Sequence, residues 1–126
     1  MTLVEFLTAR LDEDEQAARE CGGAPWSAPI PGMVHVDAKA IADNKLAWGQ
    51  LGYVATVERE HDRQHIARHD PARVLREVEA KRRIIEECEP GFNPPNAQAK
   101  YTAETVLQCL ALPYADHPDY DEDWRP

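Results

Sequence analysis

Three of the chain's five histidines, His61, His65 and His69, stand at four-residue steps within residues 58–89. On a continuous helix this spacing puts the imidazoles on one face. Two of them one turn apart can hold a metal ion such as Zn²⁺, which takes three or four protein ligands in all. His61 and His69 lie two turns apart, so a third ligand has to come from elsewhere, from His117 or from a cysteine. His65, His69 and His117 are therefore the metal-ligand candidates, with Asp70 or Asp116 near them in sequence should the site be hydrolytic. The pattern is not the HExxH of a zinc protease, because Asp62 follows His61 and Ile66 follows His65. The simpler reading, which the sequence favours, is that these histidines are exposed or pack around the turn at Asp70. No cofactor is expected, and zinc is the one the pattern admits.

Other reactive groups are sparse. Ser27 is the only serine and sits in a Pro-rich stretch, so a Ser/His/Asp set has little to build on. Cys21, Cys88 and Cys109 are odd in number, widely spaced and without a CxxC pair, which fits reduced, packed thiols better than disulfides or a zinc knuckle. No nucleotide-binding loop or nucleophile elbow is present. No catalytic residue is assigned, and the reading leans away from an enzyme.

The elements that must position these residues begin at the word His69-Asp70-Pro71. Asp70 suits an N-cap, accepting from free amides of the next turn, and Pro71 suits the first helical position, where a missing N–H costs nothing. From there Val74, Leu75, Val78, Ile85 and Cys88 recur at three- and four-residue steps, which predicts a helix over 71–88 with one apolar stripe. Its other faces carry Arg73, Arg76, Lys81, Arg82 and Arg83 among glutamates at ion-pair spacing. That is a solvated face or, more sharply, a basic ridge for an acidic partner.

Upstream, Thr2 and Glu5 have the form of a capping box, and Leu3, Phe6, Leu7 and Leu11 start an apolar rhythm, predicting a helix over 3–20 that stops at Gly22-Gly23. Asp12 to Glu15 reads as a solvated acidic patch. Residues 22–32 are too rich in Gly and Pro for long regular structure, with Trp26 and Ile30 pinned to the core. Residues 33–37 and 52–57 predict a small two-stranded β element, and residues 37–48 read either as a short helix capped by Asp37 or as a long loop. A stiff Pro-rich connection over 89–96 precedes a last helix over 97–112 with Val106, Leu107 and Leu110 on its stripe. Residues 113–126 form an acidic tail whose Tyr114, Tyr120 and Trp124 let it lie on the body, its acids facing the arginines of the central helix, or serve as a free recognition segment. The fold class is mainly α (α+β): three long helices around one core, in a single domain over 1–126.

A length of 126 residues allows a modest core without disulfides. No run approaches the roughly 20 apolar residues of a membrane span, and the N-terminus lacks the basic-then-apolar layout of a secretion signal, so a cytoplasmic protein is expected. The net charge of −9 disfavours general nucleic-acid binding, since phosphates would meet an acidic molecule.

HIARHDPARVLREVEAKRRI at 65–84 and LALPYADHPDYDEDWRP at 110–126, with the opening LVEFLTARLDEDE, resemble an uncharacterised family of small proteins from actinobacteria and their phages. The resemblance implies no activity. It draws interest to His65, His69, Asp70, Arg73, Tyr114, His117 and Trp124. Three functions compete. The first is a small acidic interaction or accessory module, using Arg73, Arg76, Tyr114, Tyr120 and Trp124 toward an unidentified protein partner. The second is a metal-binding protein or metal-dependent hydrolase. The third is a phage-type inhibitor imitating nucleic acid.

Overall fold

Asp70 does the work its sequence context predicts. In the computed structural model, which describes residues 1–29, 31–37, 39, 52–89 and 96–126, its Oδ1 accepts from the Arg73 N–H at 2.7 Å. Helix α3, Pro71–Cys88, starts on that cap. The helix before it, α2, spans Glu60–Arg68 and ends at His69, whose N–H reaches back to the carbonyls of His65 and Ile66. The other two helices of the described residues are α1, Leu3–Glu20, and α4, Ala97–Ala111.

Local chemistry explains their limits. At the start of α1, Thr2 N–H donates to Glu5 Oε2 at 2.7 Å and Glu5 N–H to Thr2 Oγ1 at 3.1 Å, the reciprocal capping box. The Thr2 N–H holds the Glu5 carboxyl below the usual carboxylate range. At its end, Gly23 N–H reaches Ala18 O and Gly22 N–H reaches Arg19 O, both at 2.9 Å, with Gly22 at φ 93°. This is the Schellman closure, and its left-handed residue is a glycine because a Cβ there is strained. Helix α4 starts on Asn96, whose Oδ1 accepts from Ala99 N–H at 2.8 Å.

The β element has three antiparallel strands, one more than expected: β1, Trp26–Ser27, β2, Met33–Val36, and β3, Tyr53–Thr56, in the order β1-β2-β3. Trp26 faces Val36 and Ser27 faces His35. A strand of two residues is too short for a period-two pattern, so β1 left no periodic signal. The pairing of β2 with β3 shifts register between Val34 and His35, and both neighbours are buried, at 0% and 5% exposure. The expected alternation of apolar-in and polar-out fails there for that reason. Ile30, nearly all of the ambiguous stretch 37–48, and residues 90–95 of the Pro-rich connection lie outside the described residues.

The chain divides into two compact units, Met1–Asp14 with Glu77–Pro126, and Glu15–Arg76, so α1 and α3 each give one part to each. The first unit buries Phe6, Leu7, Leu11, Val78, Ile85, Leu107 and Ala111, the apolar stripes of the first, central and last helices. The second buries Ala18, Val34 and Ala67 together with three polar side chains, His35, Arg63 and Asp70. Arg63 is anchored by N–H donation from one guanidinium nitrogen to Val57 O at 3.0 Å and Glu58 O at 2.8 Å, which closes the end of β3 onto α2.

Asp70 has a further task that its sequence context did not reveal. Its Oδ2 accepts from the Trp26 backbone N–H at 3.0 Å, so one carboxylate ties β1 to the start of α3. Asp70→Ala removes a cap worth about 1 kcal/mol and leaves the Trp26 amide unpaired at a further cost of about 1–3 kcal/mol. Asp70→Asn keeps one acceptor oxygen and is expected to lose about half as much. Urea unfolding of the two variants against wild type measures both the loss and its order.

Candidate functional site

Side chains singled out by the sequence gather at two places, one in each unit. In the first unit the centre is Phe6, on the buried stripe of α1. Around its ring stand Tyr114, His117, Tyr120 and Trp124, with centroids at 6.4, 5.7, 5.9 and 5.1 Å and mostly edge-on. Edge-to-face packing sets the positive ring edge against the negative ring face. The segment after α4 folds into two 3₁₀ turns, Leu112–Tyr114 and Glu122–Trp124, that bring these rings round.

Arg10, four residues after Phe6, is the second anchor and is only 6% exposed. Its guanidinium lies 5.1 Å from the Phe6 ring centroid. One terminal nitrogen donates to Glu13 Oε1 at 2.8 Å, and the other meets His117 Nδ1 at 2.9 Å and approaches Asp119 Oδ2 at 4.0 Å. A guanidinium can only donate, so Nδ1 of His117 must be the acceptor. The same Nδ1 accepts from the Asp119 N–H at 3.0 Å. The His117 proton is thereby fixed on Nε2, and its lone pair is spent on holding Arg10 and the turn.

Tyr114 completes the attachment. Its hydroxyl donates to Asp14 Oδ2 at 2.6 Å, and Lys81 Nζ of α3 stands 5.9 Å from its ring centroid. Burial, followed by the hydrogen bond and charge of Asp14 and the charge of Glu77, pushes the phenol well above its ordinary value, with Arg10 opposing. The tail thus docks, and the cation of the central helix meets a tail ring, while the tail acid Asp119 approaches Arg10 of the first helix.

The acids of α1 are engaged as well. Asp12 accepts from Arg82 at 2.7 Å, Glu13 from Arg10, Asp14 from Tyr114, and Glu15 from Arg19 at 3.0 Å. The stretch expected to be a solvated patch is a row of attachment points. One of those contacts draws on the basic ridge, since Arg82 reaches Asp12, while Arg83 pairs with Glu79 within α3 at 2.9 Å. Of the residues proposed for interaction, Arg76 is exposed and Arg73 half-buried in the second unit, whereas Tyr114, Tyr120 and Trp124 are half-buried around Phe6 in the first.

The second gathering is on α2. His61, His65 and His69 are all exposed. His65 and His69 stand with ring centroids 4.3 Å apart and planes 36° apart. His69 Nδ1 lies 2.8 Å from the His65 carbonyl, and since a carbonyl only accepts, that nitrogen carries the proton. His117 serves the other unit, as described, and among the described residues no three His, Cys, Asp or Glu side chains gather as a metal site.

The cysteines do not form the packed set expected of them. Cys21 and Cys109 are exposed and Cys88 is half-buried, all as free thiols. Burial, with Glu87 adding, pushes the Cys88 thiol up, which disfavours the thiolate needed of a nucleophile. Two shallow grooves flank Val4 and Glu89 in the first unit, of about 190 and 170 Å³, below the range of roughly 300–1,000 Å³ usual for small-molecule sites.

Arg10 and Arg63 escaped sequence reasoning, although each carries a signal. Arg10 falls on the same helical face as Phe6, Leu7 and Leu11, and Arg63 on that of Ile66, Ala67 and Asp70. A cation inside an apolar stripe is a buried cation with partners to be found.

The model of one family of unknown function, DUF6221, matches residues 1–126. No curated protein and no solved structure matches the chain.

Two measurements test this attachment. Arg10→Met keeps the stem and removes the donors, so backbone amides of 113–125 are expected to exchange hydrogen faster while those of α2 do not change. For Tyr114, a raised folded-state value means that its contribution is fully present below the ordinary tyrosine range and is lost as pH rises through the folded value. Stability is therefore expected to fall above about pH 10, with one phenol ionising at 295 nm only as the chain unfolds, and Tyr114→Phe abolishing that step.

Proposed function

From its membership of this family of unknown function over the whole sequence, the chain inherits no activity, and we propose that it acts as a non-catalytic accessory module that binds another protein. The observation that carries this reading is the docked C-terminal segment. Its rings face inward to Phe6 and Arg10, which leaves Asp116, Asp119, Asp121, Glu122 and Asp123 exposed at fixed positions. Asp121 and Glu122 are steadied further, the first by accepting from Asp123 N–H at 3.0 Å and the second by Arg125 at 2.9 Å.

Charges held in place lose little freedom on binding, so an ordered acidic rim suits a basic partner surface better than a free acidic tail does. No helix of the described residues is long and apolar enough to cross a membrane. A cytoplasmic setting agrees with the free thiols and is part of the same reading. Imitation of nucleic acid is less well supported, because the carboxylates of Asp12 to Glu15 are taken up by partners within the chain.

The experiment is affinity isolation from the native host with wild type and with the double variant Asp116→Lys/Asp123→Lys, followed by titration of the purified partner. A defined partner is expected, with affinity reduced about tenfold or more in the variant and weakened by salt. Equal binding by the variant overturns the assignment of the surface. Turnover that depends on His65 or His69 overturns the non-catalytic reading.

A further inference from the structure

Two histidines in this chain have opposite tautomers fixed by their partners, and the difference separates a structural imidazole from a ligand. His117 accepts twice at Nδ1 and so keeps its proton on Nε2. His69 donates from Nδ1 to the His65 carbonyl, which places its lone pair on Nε2, the nitrogen directed away from that carbonyl. A metal-bound imidazole typically has this arrangement, with one nitrogen held by a backbone carbonyl and the other free to coordinate. His65 stands beside it, ring centroid to ring centroid 4.3 Å, and both rings are exposed to solvent.

We propose that His65 and His69 form a two-imidazole site for a borderline divalent transition cation of the Zn²⁺ class. The pair stands one helical turn apart, and His69 is held at the end of α2, where its backbone N–H also bonds to the His65 carbonyl at 3.2 Å. Chelation asks for one nitrogen of His65 and Nε2 of His69 at a common ion, at the usual Zn–N distance of about 2.0–2.1 Å, and the rings already stand side by side. Imidazole nitrogen selects such cations over Mg²⁺ and Ca²⁺, which prefer oxygen. Among the described residues no third protein ligand joins them. The remaining coordination positions are left to water or to a further ligand, and both imidazoles face solvent. His61, a further turn back, and His117 are not part of it.

Zn²⁺ titrated calorimetrically into protein free of any affinity tag is expected to bind once per chain. Binding is expected to disappear in His65→Ala and in His69→Ala, to persist in His61→Gln and His117→Gln, and to be unaffected by excess Mg²⁺. Because both imidazoles are exposed, circular dichroism of the alanine variants is expected to match wild type. A second readout uses no metal: long-range ¹H–¹⁵N spectra are expected to show His69 as the Nδ1–H tautomer and His117 as the Nε2–H tautomer. Zn²⁺ binding that survives both alanine variants, binding that falls with His117→Gln, absence of any binding, or an Nε2–H tautomer at His69 each overturns the proposal.

Discussion

The carboxylate of Asp70 is the constraint on which the second unit depends. It is 8% exposed and accepts two backbone N–H groups, from Arg73 within the first turn of α3 and from Trp26 in β1. Because both amide donors converge on this one carboxylate, strand position and helix start are set by one side chain. The break it creates has a consequence one residue earlier. Because α2 stops at Arg68, His69 leaves the helical path at φ −97°, ψ 45°, and its side chain can reach the carbonyl of His65. The helix break thus prepares the imidazole pair.

The first unit answers a different physical problem, which is how to keep a cation inside. Arg10 is removed from water, and a charge so placed is costly unless it is paired and hydrogen-bonded. Glu13 and His117 supply acceptors, and the Phe6 face supplies a cation–π contact. Nε of Arg10 has no hydrogen-bond partner among the described residues, so the satisfaction is incomplete. Two of its three polar neighbours, His117 and Asp119, come from the C-terminal segment. The segment is therefore part of what makes the buried arginine tolerable, and its order follows from that need as much as from its aromatic rings.

Much of this was legible in the sequence, and what was not has physical reasons. The limits of α1, α3 and nearly those of α4 follow from capping box, Gly-Gly stop, Asp-Pro start and apolar period, because each acts within a few residues. The cap of Asp70 was legible for the same reason, but its bond to Trp26 joins residues 44 apart and has no local signature. Strand β1 has two residues, shorter than any periodicity. His35 looked like the polar member of an alternating strand, and the register shift between it and Val34, both buried, leaves no mark in the alternation. The four-residue spacing of His65 and His69 does bring their rings together, although His69 lies past the helix end, whereas the role of His117 depends on Arg10, 107 positions away.

Histidine shows why residue type and spacing underdetermine a site. His69 and His117 are chemically identical, and both make a short hydrogen bond through Nδ1. The bond to a carbonyl forces that nitrogen to donate, and the bond from a guanidinium forces it to accept. The first leaves a lone pair for an outside ligand, and the second leaves only a proton to offer. Coordination by His117 would require it to give up both donors, leaving the cation beside Phe6 with Glu13 as its one hydrogen-bonded acceptor among the described residues. The penalty for that lies in the arginine rather than in the histidine, so the group deciding whether an imidazole can serve a metal is its hydrogen-bond partner.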